Sequence, residues 1–291
     1  MDKISNIASD VAVSGSVFIY SDSKNLYYRT PSADEATVLI EGFAGTDLGI
    51  SHDGSHFSFK TEGGCVVGSV VEYSKIRTEK CIGEIVWVSD SEYVFFEAED
   101  EIPTDVDFFD DSRTVLVQSS VDSSSRKTQK GISANNSVAV AQSDNSTYVI
   151  LTTIAEPETT ICKLNKAYAG EILNDCQNLG VEITSITTHN GEVFGSARGL
   201  KGEHTISLSG DSEIFSNINL NKTFSYGSNL YALGEHNPLE TVFVNILGSE
   251  KSLTLEEKFN GKRASSIFSI HKTEESYLVI EATNGLWGVQ L

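Results

Sequence analysis

Ile50-Ser51-His52-Asp53-Gly54-Ser55-His56-Phe57-Ser58-Phe59-Lys60-Thr61-Glu62-Gly63-Gly64-Cys65-Val66-Val67-Gly68 is the stretch that decides the fold. It runs as a strand end, a polar turn, an alternating strand, a glycine turn and an apolar strand. Alternation at period 2 marks half-buried β structure, and the Asp53-Gly54 and Gly63-Gly64 pairs are hairpin turns. One hairpin of this kind is unremarkable. This one recurs along the chain.

Seven segments share the layout of a polar residue opening a short alternating strand. They start at Ser16, His56, Glu92, Ser137, Glu192, Asn229 and Ser276. The residue after each opener is Val, Phe, Tyr or Leu. The mean step is about 43 residues, inside the range of propeller-blade repeats. Each anchor has room around it for four strands, which in the first unit are Asp10–Ser14, Ser16–Ser21, Asn25–Thr30 and Thr37–Glu41. A four-stranded unit cannot bury both faces alone, so such units stack radially. The last unit has three strands, Ser265–His271, Ser276–Glu281 and Leu286–Gln290, and Lys3–Ala8 can supply the fourth. The expectation is an all-β, seven-bladed β-propeller of four-stranded antiparallel blades, a single domain over residues 1–291, closed by its N-terminal strand.

The chain has 291 residues, 39% of them hydrophobic, and a net charge of -20. Such a field repels phosphate backbones and disfavours nucleic acid as a direct partner. No apolar run approaches the roughly 20 residues of a membrane helix, and the amino terminus lacks the pattern of a signal peptide. Neither membrane insertion nor secretion is expected, which leaves an intracellular, cytoplasmic or nuclear, setting. In that setting Cys65, Cys81, Cys162 and Cys176 read as buried thiols, with cross-hairpin disulfides the alternative. Lys166–Gln177 is the one place with room for a short helix, and Ser119–Lys130 reads as a polar loop between the third and fourth units.

Acids gather in the loops between second and third strands: Asp22, Glu62, Glu97, Glu99, Asp100, Glu101, Asp144, Glu235 and Glu281. These are the candidate partner-binding residues, forming one acidic face for a protein partner with a basic segment. His52, His189 and His271 share the turn before the anchor strand and read as polar turn residues. No catalytic motif of the G-x-S-x-G, H-E-x-x-H or phosphate-loop type is present, and no D-x-D-x-D-G calcium loop, so neither cofactor nor metal is expected.

The layout resembles the WD40-like seven-bladed β-propellers over essentially the whole chain, without their Gly-His and Trp-Asp markers. Leu48-Gly49-Ile50-Ser51 through Gly64-Cys65-Val66-Val67-Gly68 is similar to an early blade of the N-terminal propellers of nucleoporins. That resemblance implies docking of protein partners through charged loops. The expected function is a non-enzymatic interaction scaffold within a larger assembly. The alternatives are a propeller hydrolase or lyase with a channel-mouth site, and a structural subunit of a viral particle or a nuclear pore-type assembly.

Overall fold

The computed structural model describes residues 2–5, 10–14, 17–22, 24–72, 74–98, 114–132, 136–143, 146–153, 158–165, 170–189, 191–199, 202–208, 213–214, 223–226, 229–237, 240–245, 253–255, 264–272, 275–282 and 285–290. The chain opens with β1 (Asp2–Ser5). The first sheet follows as β2 (Asp10–Val13), β3 (Phe18–Ser21), β4 (Asn25–Arg29) and β5 (Thr37–Glu41). The second is β6 (Thr46–Ile50), β7 (His56–Thr61), β8 (Gly64–Ser69) and β9 (Ser74–Glu79). The third is β10 (Ile82–Trp87), β11 (Glu92–Ala98), β12 (Thr114–Ser120) and β13 (Arg126–Lys130). The fourth is β14 (Asn136–Gln142), β15 (Thr147–Thr153), β16 (Thr159–Leu164) and β17 (Leu173–Asn178). The fifth is β18 (Glu182–His189), β19 (Glu192–Gly199), β20 (Gly202–Ser207) and β21 (Glu213–Ile214). The sixth is β22 (Thr223–Tyr226), β23 (Asn229–Asn237), β24 (Glu240–Asn245) and β25 (Leu253–Leu255). The last combines β26 (Ala264–Lys272), β27 (Glu275–Ala282) and β28 (Gly285–Gln290) with β1 beside β28.

Every sheet is an antiparallel meander, so within a sheet each strand pairs with its sequence neighbour. The exception is β1, where Lys3 lies opposite Trp287 of β28. Among the described residues, apolar clusters lie between five pairs of adjacent sheets. Ile19, Leu26, Ile50, Phe57 and Phe59 join the first sheet to the second, and Val67, Trp87, Tyr93 and Val117 join the second to the third. Val94, Leu116, Val149 and Cys162 join the third to the fourth, and Ile150, Ile161 and Val193 join the fourth to the fifth. Phe18 and Tyr20 of the first sheet pack with Val279 and Leu286 of the last.

First strands approach each other closely. Gly49 permits this in β6: a Cβ there would stand 2.5 Å from Ser58 Oγ and 3.1 Å from the Ile85 carbonyl of β10. The same Ser58 hydroxyl accepts a buried hydrogen bond from Trp87 Nε1 at 3.0 Å.

Four sequence expectations change. The anchor at Ser137 lies in β14, the first strand of its sheet, because alternation marks a half-buried strand without saying which one it is. The helix expected within Lys166–Gln177 gives way to β17, whose residues find ladder partners on β16. Ser119–Lys130 is not an inter-sheet loop: β13 pairs along β12, with Ser119 opposite Arg126. The four cysteines are not thiols but two disulfides, Cys65–Cys81 and Cys162–Cys176, because antiparallel pairing brings their Cα atoms to 5.6 and 4.1 Å.

Candidate functional site

Titratable side chains from different sheets converge at both ends of the first strands. At the beginning, β6 and β10 each carry an irregularity at the equivalent point. Pairing with the second strand shifts register between Thr46 and Gly49 in β6, and between Ile82 and Val86 in β10. Asp47, at φ 53°, lies on the first irregularity, and Glu84, just after Gly83 at φ 85°, lies on the second. Bulges of this kind release a strand from the ladder and re-aim its side chains. Asp47 and Glu84 are both solvent-accessible.

Asp10, the first residue of β2, completes this group. Its Oδ2 accepts the Leu48 N–H of β6 at 2.8 Å and its Oδ1 accepts the Val11 N–H at 2.9 Å. Glu84 is exposed at the strand surface, yet protein crowded around its carboxyl strips away part of its water and pushes it above the ordinary carboxylate range. The negative neighbours Asp47 and Asp10 push the same way, against Lys60. Three successive sheets thus contribute one carboxyl each, and one of the three holds its proton more tightly than a free glutamic acid.

At the other end, turns between first and second strands meet. Gln142, the last residue of β14, donates through Nε2 to His52 Nδ1 at 2.9 Å and to the Val88 carbonyl at 2.9 Å. This links the fourth, second and third sheets through one side chain. Desolvation lowers the His52 pKa; Asp90, Asp53 and a backbone bond to Trp87 oppose it without reversing it. His56 follows four residues later, stacked on Trp87 with ring centroids 5.9 Å apart. Its Nδ1 lies 2.8 Å from Ser55 Oγ and 3.1 Å from the Asp90 carbonyl. Asp53 accepts from the hydroxyls of Ser51 and Ser55, both at 2.7 Å, and from the Ser55 N–H at 3.0 Å, which holds its pKa down despite partial burial.

Of the acids expected to bind a partner, five lie among the described residues. Asp22 sits in the turn between β3 and β4, where it accepts the Lys24 and Asn25 N–H groups and the Tyr27 hydroxyl. Glu62 is exposed in the turn between β7 and β8. Glu97 lies within β11 rather than in a loop, and its carboxylate pairs with Arg126 of β13. Glu235 and Glu281 fall within β23 and β27. Glu99, Asp100, Glu101 and Asp144 lie outside the described residues.

Asp10, Asp47, Glu84 and Gln142 were missed from sequence. An acid at the start of three successive first strands was the available signal. Among the described residues no group of three or more side chains suited to a metal converges, and no helix is long and apolar enough to cross a membrane.

No protein-family model matches the chain, and no curated protein matches it in sequence. Solved structures do match in fold. One, from a study of two prolyl endopeptidases and the role of inter-domain dynamics in catalysis and specificity, is 11% identical with a TM-score of 0.68; the match covers 99% of this chain and 47% of that one. An oligogalacturonate lyase in complex with manganese is 12% identical with a TM-score of 0.63, over 94% of this chain and 85% of the lyase. The β-propeller domain of the trilobed protease from Pyrococcus furiosus, described as having an open velcro topology, is 10% identical with a TM-score of 0.63, over 99% of this chain and 94% of that domain. The chain therefore spans about half of the endopeptidase and most of the other two. The likeness is mainly to propellers of peptidases and a lyase, and not specifically to WD40 or nucleoporin propellers. The expected reading of a non-enzymatic scaffold presenting acidic loops is thereby overturned. The chain has a β-propeller fold.

Proposed function

We propose that this chain is the propeller of a hydrolase- or lyase-type enzyme, with seven blades closed into a ring by β1 and its working groups at the mouth of the axial channel. Closure is supported by β1 lying beside β28 and by neighbour relations among first strands, which run β2, β6, β10, β14, β18, β22, β26 and back to β2. The observation that carries the functional reading is that Asp47 and Asp10 lie within electrostatic reach of Glu84, the three standing on adjacent first strands, two of them on bulges. Hydrolysis and elimination both need a proton donor beside a negative or basic partner. Neighbouring carboxyls whose environments separate their proton affinities supply that pair. Glu84 is the donor in this reading. Asp47 is its negative partner, and Asp10, held by two backbone N–H groups, sets the position of β6.

The experiment is turnover of oligogalacturonate, of N-acylated peptides and of proline-containing peptides by the full chain, followed by mass spectrometry of the products. Turnover that falls roughly a hundredfold or more in Glu84→Gln supports the reading. Turnover untouched by Glu84→Gln and Asp47→Asn overturns it, as does absence of both turnover and binding for all three substrate classes.

A further inference from the structure

Two disulfides occupy the same place in two different sheets. Cys65–Cys81 ties the third strand β8 to the residues just beyond the outermost strand β9. Cys162–Cys176 ties the third strand β16 to the outermost strand β17, and no cysteine is left free. The strands tied in this way are those that grip the third sheet from either side. From the second sheet, Glu79 accepts the Tyr93 hydroxyl at 2.6 Å and lies 3.8 Å from Arg126, while Arg77 donates to the carbonyls of Val121 and Ser123 at 3.2 and 3.3 Å. From the fourth sheet, the Leu173 N–H donates to Gln129 Oε1 at 2.7 Å, and the Glu171 carbonyl accepts from Lys127 Nζ at 2.8 Å. Arg126, Lys127 and Gln129 all belong to β13, the outermost strand of the third sheet, which has no cysteine of its own.

We propose that the two disulfides form a redox-sensitive rim clamp that seats the third sheet. An outermost strand pairs along one edge only, so it is among the first parts of a sheet to open. A covalent tie to the strand inside it limits that opening. With β9 and β17 fixed, the groups that hold β13 stay in place; with the bridges reduced, β9 and β17 fray and β13 loses partners on both flanks. Each bridge forms by exchange with the disulfide of a dithiol–disulfide oxidoreductase. A cysteine pair gives up two protons and two electrons, and both pass to the catalyst's disulfide, whose S–S bond breaks to leave a dithiol as the new S–S bond forms.

The test uses the full chain. Alkylation with N-ethylmaleimide in denaturant without reductant is expected to add nothing to the intact mass, and after reduction to label all four cysteines. Hydrogen exchange is then compared between oxidised chain, reduced chain, Cys81→Ser and Cys176→Ser. Reduction is expected to lower amide protection in β9, β13 and β17 by roughly tenfold or more, and to leave β3 and β7 unchanged. Cys81→Ser should loosen β9 and β13 but not β17, and Cys176→Ser should loosen β17 and β13 but not β9. Four adducts before reduction would overturn the clamp, as would equal protection of β13 in oxidised and reduced chain. If a variant does not fold, the wild-type reduction series decides alone.

Discussion

Tyr93 of the third sheet donates its phenolic proton to Glu79 of the second at 2.6 Å, in a place where the tyrosine is fully buried and the glutamate is 7% exposed. Burial raises the Tyr93 pKa and the bond to Glu79 raises it further, so the phenol stays a donor throughout the physiological range. Arg77 and Arg126 flank the carboxylate at 3.8 Å each, too far for direct hydrogen bonds. The phenol is therefore its short neutral partner. Tyr93→Phe keeps the ring that packs on Trp87 and Phe95 and removes the hydroxyl, which donates to Glu79 and also meets the Ser119 side chain. A loss of about 1.5–3 kcal/mol is expected in urea unfolding, the cost of a buried hydrogen bond to a charged group.

His52 makes stability depend on pH. Its pKa in the folded chain lies below the ordinary 6.5, so the unfolded chain binds the proton first. The contribution of neutral His52 is present above pH 6.5 and is lost as pH falls through the lowered folded value. Protonation also removes the lone pair at Nδ1 that accepts from Gln142. Thermal unfolding from pH 7.5 down to pH 5 should show a decline in Tm that is shallower in His52→Gln. Parallel profiles for the two proteins would show that His52 is not the titrating group.

Glycine substitutions separate close approach from mere turn preference. Gly64 has φ 120°, and a Cβ there would stand 2.3 Å from the Glu79 carbonyl; at Gly63 next to it the nearest atom is Thr61 Oγ1 at 4.0 Å. Gly64→Ala is expected to destabilise by about 1–3 kcal/mol and Gly63→Ala to stay within about 0.5 kcal/mol of wild type. Chemical denaturation of the two single variants checks the contrast.

Much of the fold is legible in period-2 patterning, because alternation and turn residues act locally. His56, Glu92, Glu192 and Asn229 each open the second strand of a sheet where the pattern places them. Ser137 fails because Val138-Ala139-Val140 alternates as well in a first strand as in a second. Leu173–Asn178 escapes notice because an outermost strand has one exposed edge and needs little apolar patterning: only Leu173 in it is buried. The candidate site was mostly hidden. Acids in turns are easy to see, yet Glu97 is used up by Arg126 inside a sheet. The electrostatic reach of Asp10 and Asp47 to Glu84 depends on how three sheets stand side by side, and the shifts in β6 and β10 leave no mark in the alternation.

The influence of Asp47 and Asp10 on Glu84 is the centre of the account, and the ionisation of Glu84 reports on it most directly. The measurement is a carbon-detected NMR titration of the Glu84 carboxyl in the full chain, repeated in Asp47→Asn. The expected result is a midpoint above the ordinary 4.5 that moves back toward it when the Asp47 charge is removed. A midpoint at the ordinary value, unmoved by Asp47→Asn, would mean that the first strands of neighbouring sheets do not bring these groups together, and the proposed channel-mouth site would fall.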